Sequence, residues 1–444
     1  MSSSQEATKT PQPHFGGAWF LTLFAVEEIP AAMVTYVALL MLLQLGLAPA
    51  EATFCSALLF VPWVLKSFLR SWVSRVGHFR LVLYLIETLL FFGLLALAFA
   101  FRHGPVTVFF ALMLVSLLCA WHELAARMYY ERMLRPVFQR LLIVPKLVCS
   151  QVAVIFTYGA LIFLVGTLEV YFRQIRYSWS AGCYVTAGIL LLFGFLHLKT
   201  LSNSSSKGAG QFKILRKVQV QVEQNSKLKN AVHPEETFAS WNSVQWLTIL
   251  FFLLLPQALM FHARVLYLYD TRVHGGLQCT IQEIGFAQGT VGVIAFSLGI
   301  ALGRLFIIKS EKLNDSSFSW PMALSLVLSP FVYLGMTFWP PQSLLALCSC
   351  TMLAQFLFGL GLSVCRLPLS AISGTLYHNT VNMLQIPFVS AAMLVPMAIS
   401  GWMVEQLGYE TYFFVNALSA PVCLLAVYLI FKTANRRTIK EKSE

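Results

Sequence analysis

The sequence predicts an all-α integral membrane protein, with twelve transmembrane helices in two pseudo-symmetric six-helix bundles. Three observations carry that expectation. The 444-residue chain is 58% hydrophobic and only 11% charged, whereas a soluble domain is nearer half apolar and a quarter charged. Apolar runs of about twenty residues recur along it, long enough to cross a hydrocarbon core of roughly 30 Å. One long polar stretch, 199–240, divides those runs into two sets of six. Two similar halves joined by a hydrophilic connector suggest a solute path between the halves.

In chain order, residues 1–16 are polar and lead into a run too long for a signal-peptide core, so they read as a cytoplasmic tail. The first bundle, 17–198, holds expected spans at 17–43, 50–70, 80–101, 106–127, 141–167 and 178–198. The connector, 199–240, includes FKILRKVQVQVE, in which apolar residues alternate with Lys213, Arg216 and Lys217. That segment is either a short helix lying on anionic lipid or a solvated tether. The second bundle, 241–432, holds spans at 241–264, 282–308, 319–338, 343–365, 376–401 and 411–432, followed by a tail at 433–444.

The net charge of +12 does not point to nucleic acid, because the basic residues sit at the ends of apolar runs, as orientation signals do. One face collects Arg70, Arg75, Arg80, Arg127, Arg132, Arg135, Arg140, Lys146, Arg304, Lys309, Lys312, Arg366 and the Lys and Arg of connector and tail. The other face holds Arg102, Arg173, Arg176, Arg264 and Arg272. Both termini and the connector are therefore expected in the cytoplasm. The nine cysteines lie mostly in apolar runs without zinc-type spacing and read as buried thiols.

An ionisable side chain inside hydrocarbon is costly, so each one within a span is a functional candidate. Glu27 and Glu28 lie about ten residues into the first span, followed by Pro30. Adjacent helical positions point about 100° apart, so one carboxylate faces the path and the other is paired or protonated. Lys66, Glu87, Glu123 and Lys146 suggest a charge network that either holds the fold and gates it or touches solute, and Arg127 snorkels or pairs with Glu123 at i,i+4. The second half offers Gln257, His262, Gln288, Gln355, His378, Asn379, Asn382 and Gln385. These polar groups line a cavity suited to hydroxyl and N-acetyl groups, or hydrogen-bond between helices. Trp63 and Trp121 lie deeper than the interfacial tryptophans and are candidates for stacking on a sugar face.

Several stretches resemble the major facilitator superfamily, and in particular its muropeptide-permease (AmpG-like) branch. They are LFAVEEIPAAMVTYVALLMLLQLGL, FVPWVLKSFLRSW, CAWHELAARMYYERML, GGLQCTIQEIGFAQGTVGVIAFSLGIALG and SAISGTLYHNTVNMLQIPFVSAAMLVPMAISGWMVEQLGYETYFF. The resemblance covers nearly the whole chain. It implies a multi-pass transporter of the bacterial inner membrane that is proton-coupled and imports a cell-wall-derived or related sugar compound. On the same basis Glu27 matches the family's acid before Pro30 and becomes the coupling or substrate-binding acid, assisted by Glu28 or Glu123. Two departures stand out. SWVSRVGHFR places Ser74 where the family's loop motif has Asp, ahead of Arg75 and Gly77, which weakens a charge-based latch between the halves. Arg127 stands where the fourth span has a second acid.

No enzyme motif, phosphate-binding loop or metal set is found, so no catalytic residue and no cofactor is expected. The expected partners are a small-molecule solute, protons and the lipid bilayer, with no nucleic acid and the chain acting as a monomer. Two further readings stay open: a carrier of an amino acid, peptide or organic anion, and a non-transporting sensor on the same fold.

Overall fold

The computed structural model describes residues 19–66, 79–133, 143–201, 243–313, 319–363 and 385–429. Both tails, nearly all of the connector, the segment holding Ser74, Arg75 and Gly77, and His378, Asn379 and Asn382 lie outside the described residues.

Nine helices among the described residues are long and apolar enough to cross a membrane, and two shorter apolar helices accompany them. In chain order they are α1 (Leu21–Gln44), α2 (Pro49–Val64), α3 (Phe79–Ala100), α4 (Pro105–Tyr130), α5 (Pro145–Phe172) and α6 (Ile175–Lys199). The second set is α7 (Leu247–Tyr269), α8 (Ile281–Phe306), α9 (Ala323–Phe338) and α10 (Leu344–Leu362), then the run Val389–Leu429. That run breaks at Gly408, whose φ of 73° a residue without Cβ adopts freely, and so divides into α11 and α12. With the break counted, twelve apolar segments result.

One boundary departs from the sequence reading. The seventh span was expected to end at 264, leaving Arg264 in a loop, but α7 continues to Tyr269 and Arg264 is buried within it. The apolar VLYLY that follows Arg264 supplies the last turn and carries the guanidinium inward.

Within the first half α3 packs against α4 and α6, and α1 against α5 and α6; within the second α8 and α9 both pack against α10. Among the described residues the halves meet along two main seams, α2 against α11 and α5 against α8. Both seams include the end of the molecule that carries the short loops 45–48, 173–174 and 270–280. At the first seam the Gly401 amide donates to Thr53 Oγ1 (3.2 Å) and the Ala50 amide donates to Glu405 Oε1 (2.9 Å). At the second, Gly289 lies so close to the Tyr158 carbonyl that no side chain fits between them.

Among the described residues three helices contain π-helical stretches: Met33–Val37 in α1, Ile155–Leu161 in α5 and Gly285–Gly292 in α8. In α1 the stretch follows Pro30, whose missing N–H already interrupts the backbone ladder. Wide turns of this kind leave carbonyls and side chains out of α-helical register, and they concentrate at functional positions. Here they carry Tyr36, Tyr158 and Gln288 to one place.

Candidate functional site

Two acid–base pairs occupy the first half. Lys66 of α2's C-terminal extension is 2% exposed and pairs with Glu123 of α4 at 2.5 Å. Trp63 Nε1, one turn earlier, donates to the other oxygen of Glu123 at 3.2 Å. Lys146 of α5 pairs with Glu27 of α1 at 2.5 Å. Glu28 is half-buried and accepts a hydrogen bond from Ser150 Oγ at 3.1 Å. Each carboxylate thus has a donor from another helix, which offsets part of the cost of removing charge from water. Of the two adjacent acids, Glu27 takes the lysine and Glu28 only a hydroxyl.

Glu87 of α3 belongs to a different cluster. Its Oε1 lies 2.7 Å from His197 Nδ1 of α6 and 3.4 Å from His122 Nε2 of α4. His197 Nε2 lies 2.9 Å from Thr22 Oγ1. Both histidines are fully buried. The sequence reading put Glu87 in one network with Lys66, Glu123 and Lys146; the structure gives it two imidazoles instead. The available signal was the pair of histidines inside apolar runs, in CAWHELAAR and FGFLHLK.

Where the halves meet, a small cavity of about 50 Å³ is lined by Tyr36, Gln151, Tyr158, Phe261, Arg264, Gln288, Phe296, Gln355 and Phe358, with Val154 and Val293. Its wall comes from α1 and α5 on one side and α7, α8 and α10 on the other. The polar groups of the second half are tied to one another: Gln355 Nε2 donates to Gln288 Oε1 (3.1 Å), and Gln288 Nε2 donates to the Tyr333 hydroxyl (2.8 Å). Ser297 Oγ of α8 donates across the seam to Gln151 Oε1 of α5 at 3.2 Å. Tyr36 stacks on Tyr158 with centroids 5.6 Å apart, and Phe296 lies 5.2 Å from Phe358. Arg264 is 7% exposed, and its guanidinium carbon sits 5.2 Å over the Phe261 ring. Such a cavity, aromatic with a few convergent polar groups, is the form small-molecule sites take.

The structure brings together only part of the expected site. Gln288 and Gln355 line the cavity. Gln257 instead donates to the Leu326 carbonyl at 2.9 Å and bridges α7 to α9. His262 sits between Ser56 Oγ (3.2 Å) and the Met397 carbonyl (3.3 Å), tying α7 to α2 and α11. Trp63 serves Glu123, and Trp121 is half-buried against the first-half core. Arg127 is half-buried, within electrostatic reach of Glu123, whose near partner is Lys66. Gln385 begins a helix, and its neighbours Asn379 and Asn382 fall outside the described residues. Tyr36, Gln151, Tyr158 and Arg264 were missed. For Arg264 the signal was a cation followed by five more apolar or aromatic positions; for the tyrosines the sequence carries none.

No protein-family model matches the chain, and no curated protein matches it. Solved structures do match, over almost its full length. A POT family transporter in complex with 5-aminolevulinic acid is 12% identical, with 95% of this chain and 98% of that one covered and a TM-score of 0.66. The nucleoside transporter NupG is also 12% identical, covering 95% and 100% at a TM-score of 0.64. A D-xylose-proton symporter is 12% identical, covering 94% and 96% at a TM-score of 0.62. At such identities the likeness is one of architecture. The chain is a multi-pass membrane protein with the fold of major facilitator superfamily transporters.

Proposed function

We propose that this protein is a secondary active transporter that imports a small polar, sugar-containing solute by proton-coupled alternating access. The observation that carries the proposal is the cavity walled by both halves, with the acid–base pairs of α1, α2, α4 and α5 in the first-half bundle. Solved structures named as a peptide transporter, a nucleoside transporter and a D-xylose-proton symporter share the fold. A cell-wall muropeptide or anhydro-sugar fragment is the leading solute, on the AmpG-like resemblance and on a lining of aromatic rings and amides. Rings stack on sugar faces, and amides bond hydroxyl and N-acetyl groups.

The coupling acids are Glu27 and Glu28. A proton arriving at Glu27 removes the charge that holds Lys146 and so loosens α1 from α5; Glu28, held by a hydroxyl alone, takes the proton with less to break. The unit acts as a monomer in a bacterial inner membrane. Its two six-helix bundles, 17–198 and 241–432, are joined by the cytoplasmic linker 199–240, both termini are cytoplasmic, and the short-loop end faces outward. Ser74, Arg75 and Gly77 form the weakened latch at the basic end, and Asn379, Asn382 and Gln385 add amides to the solute path.

The test is uptake of a labelled N-acetylglucosaminyl-anhydromuramic compound into proteoliposomes, with and without an inward proton gradient. Wild type is expected to accumulate solute only with the gradient. Glu27→Gln and Glu28→Gln are each expected to lose accumulation while keeping exchange of solute across the membrane. Accumulation that ignores the gradient and survives both substitutions removes the coupling mechanism.

A further inference from the structure

Arg264 is a cation buried in an apolar helix whose charge nothing described answers. Among the described residues no carboxylate pairs with it, and its Nε is buried without a hydrogen-bond partner. The acids of the second half whose side chains are described are committed elsewhere or exposed. Asp270 receives the Tyr409 hydroxyl (3.0 Å) and contacts His274, Glu283 caps its own helix at Thr280, and Glu405 accepts from the Ala50 amide. Glu410 is exposed. The stretches 67–78, 134–142 and 364–384, outside the described residues, contain neither Asp nor Glu.

Holding an unpaired guanidinium at such depth costs several kcal/mol in general. The Phe261 face below it offsets only a small part. The remainder is recovered if an anion enters the cavity that Arg264 lines. We infer that the transported solute carries a carboxylate and that Arg264 is the group that binds it. This rests on the proposed transport reading and names the chemistry of the solute in that same cavity.

A carboxylate fits better than other anions. The guanidinium fork matches two carboxylate oxygens, and a single cation balances a single negative charge. A phosphate dianion would need a second cation, and none lines the cavity among the described residues. The aromatic walls suit the uncharged remainder of the solute, and the amides of Gln151, Gln288 and Gln355 suit its hydroxyl or amide groups.

The test is ligand-induced thermal stabilisation of the purified, detergent-solubilised full chain. The probes are N-acetylmuramic acid, N-acetyl amino acids and short hydroxy acids, each beside its own uncharged amide or methyl ester, with inorganic phosphate as a separate probe. At least one carboxylate is expected to stabilise wild type while its neutral counterpart does not. Arg264→Gln is expected to weaken that ligand by roughly 10- to 100-fold, and Arg264→Lys to keep part of the effect. Monodisperse Arg264→Lys and Arg264→Gln proteins that melt no lower than wild type in the absence of ligand exclude misfolding as the cause, and Arg264→Gln, freed of the unanswered charge, is expected to melt higher. The inference is overturned if no carboxylate is preferred over its neutral counterpart, if phosphate outcompetes every carboxylate, or if the preference survives in Arg264→Gln. The transport reading fails separately, when a bound carboxylate is never moved across a membrane.

Discussion

At the scale of single residues, the account turns on charges that the membrane would expel were they not answered. Lys66 and Glu123 form a buried lysine–glutamate pair, with both side chains about nine-tenths or more out of solvent, and each is the other's near counter-charge. Removing one partner leaves the other buried and uncompensated, which costs on the order of 3–5 kcal/mol, whereas replacing both with apolar residues is often neutral. Lys66→Met is therefore expected to lower the melting temperature of the detergent-solubilised protein sharply, and Lys66→Met with Glu123→Leu to recover most of it. A double variant as unstable as the single one would mean that Glu123 is held chiefly by Trp63 and its other neighbours. The positions of Glu27, Glu28, Lys66 and Glu123 were legible because charge in an apolar run stands out. Their partners were not: Lys146 is far along the chain from Glu27, and nothing in either segment's local pattern names the other. Arg264 was misread because its place near the expected end of a span made it look like an orientation signal.

At the scale of helices, the features that shape the site are turns and close approaches. A span that is apolar on every side has no polar face, so hydrophobic periodicity does not report how it is rotated. For the same reason a π-helical stretch, which rotates the following residues without changing their polarity, leaves no trace in the sequence. That is why Tyr36 and Tyr158 were not anticipated although the helices bearing them were. The seam of α5 and α8 depends on Gly159 and Gly289. A methyl group at Gly289 meets the Tyr158 backbone, so Gly289→Ala is expected to destabilise the protein by about 1–3 kcal/mol. Gly188→Ala is the matching control, since nothing lies within 4 Å of the added carbon. There the better helix former leaves stability unchanged or raises it by up to about 1 kcal/mol. Thermal unfolding of the two variants side by side checks both; equal effects would show that the seam is not closely packed.

At the scale of the whole molecule, apolar run length and the single polar break made the architecture readable before any coordinates. The path between the halves was expected from the same break. The seams that close one end of it were not, because they join α2 to α11 and α5 to α8, helices with no sequence relation to one another. Alternating access requires those seams to part. The most direct measurement is the distance between spin labels at Ala50→Cys and Glu405→Cys, in a background with the nine native cysteines replaced, by double electron–electron resonance in lipid nanodiscs. These positions face each other across the α2–α11 seam, where the Ala50 amide donates to Glu405. The account predicts a short-distance population matching the closed seam and a second, longer one, with their ratio shifting between pH 5 and pH 8 in wild type and not in the combined Glu27→Gln and Glu28→Gln variant. A single short distance at every pH, with and without a carboxylate ligand, would contradict it.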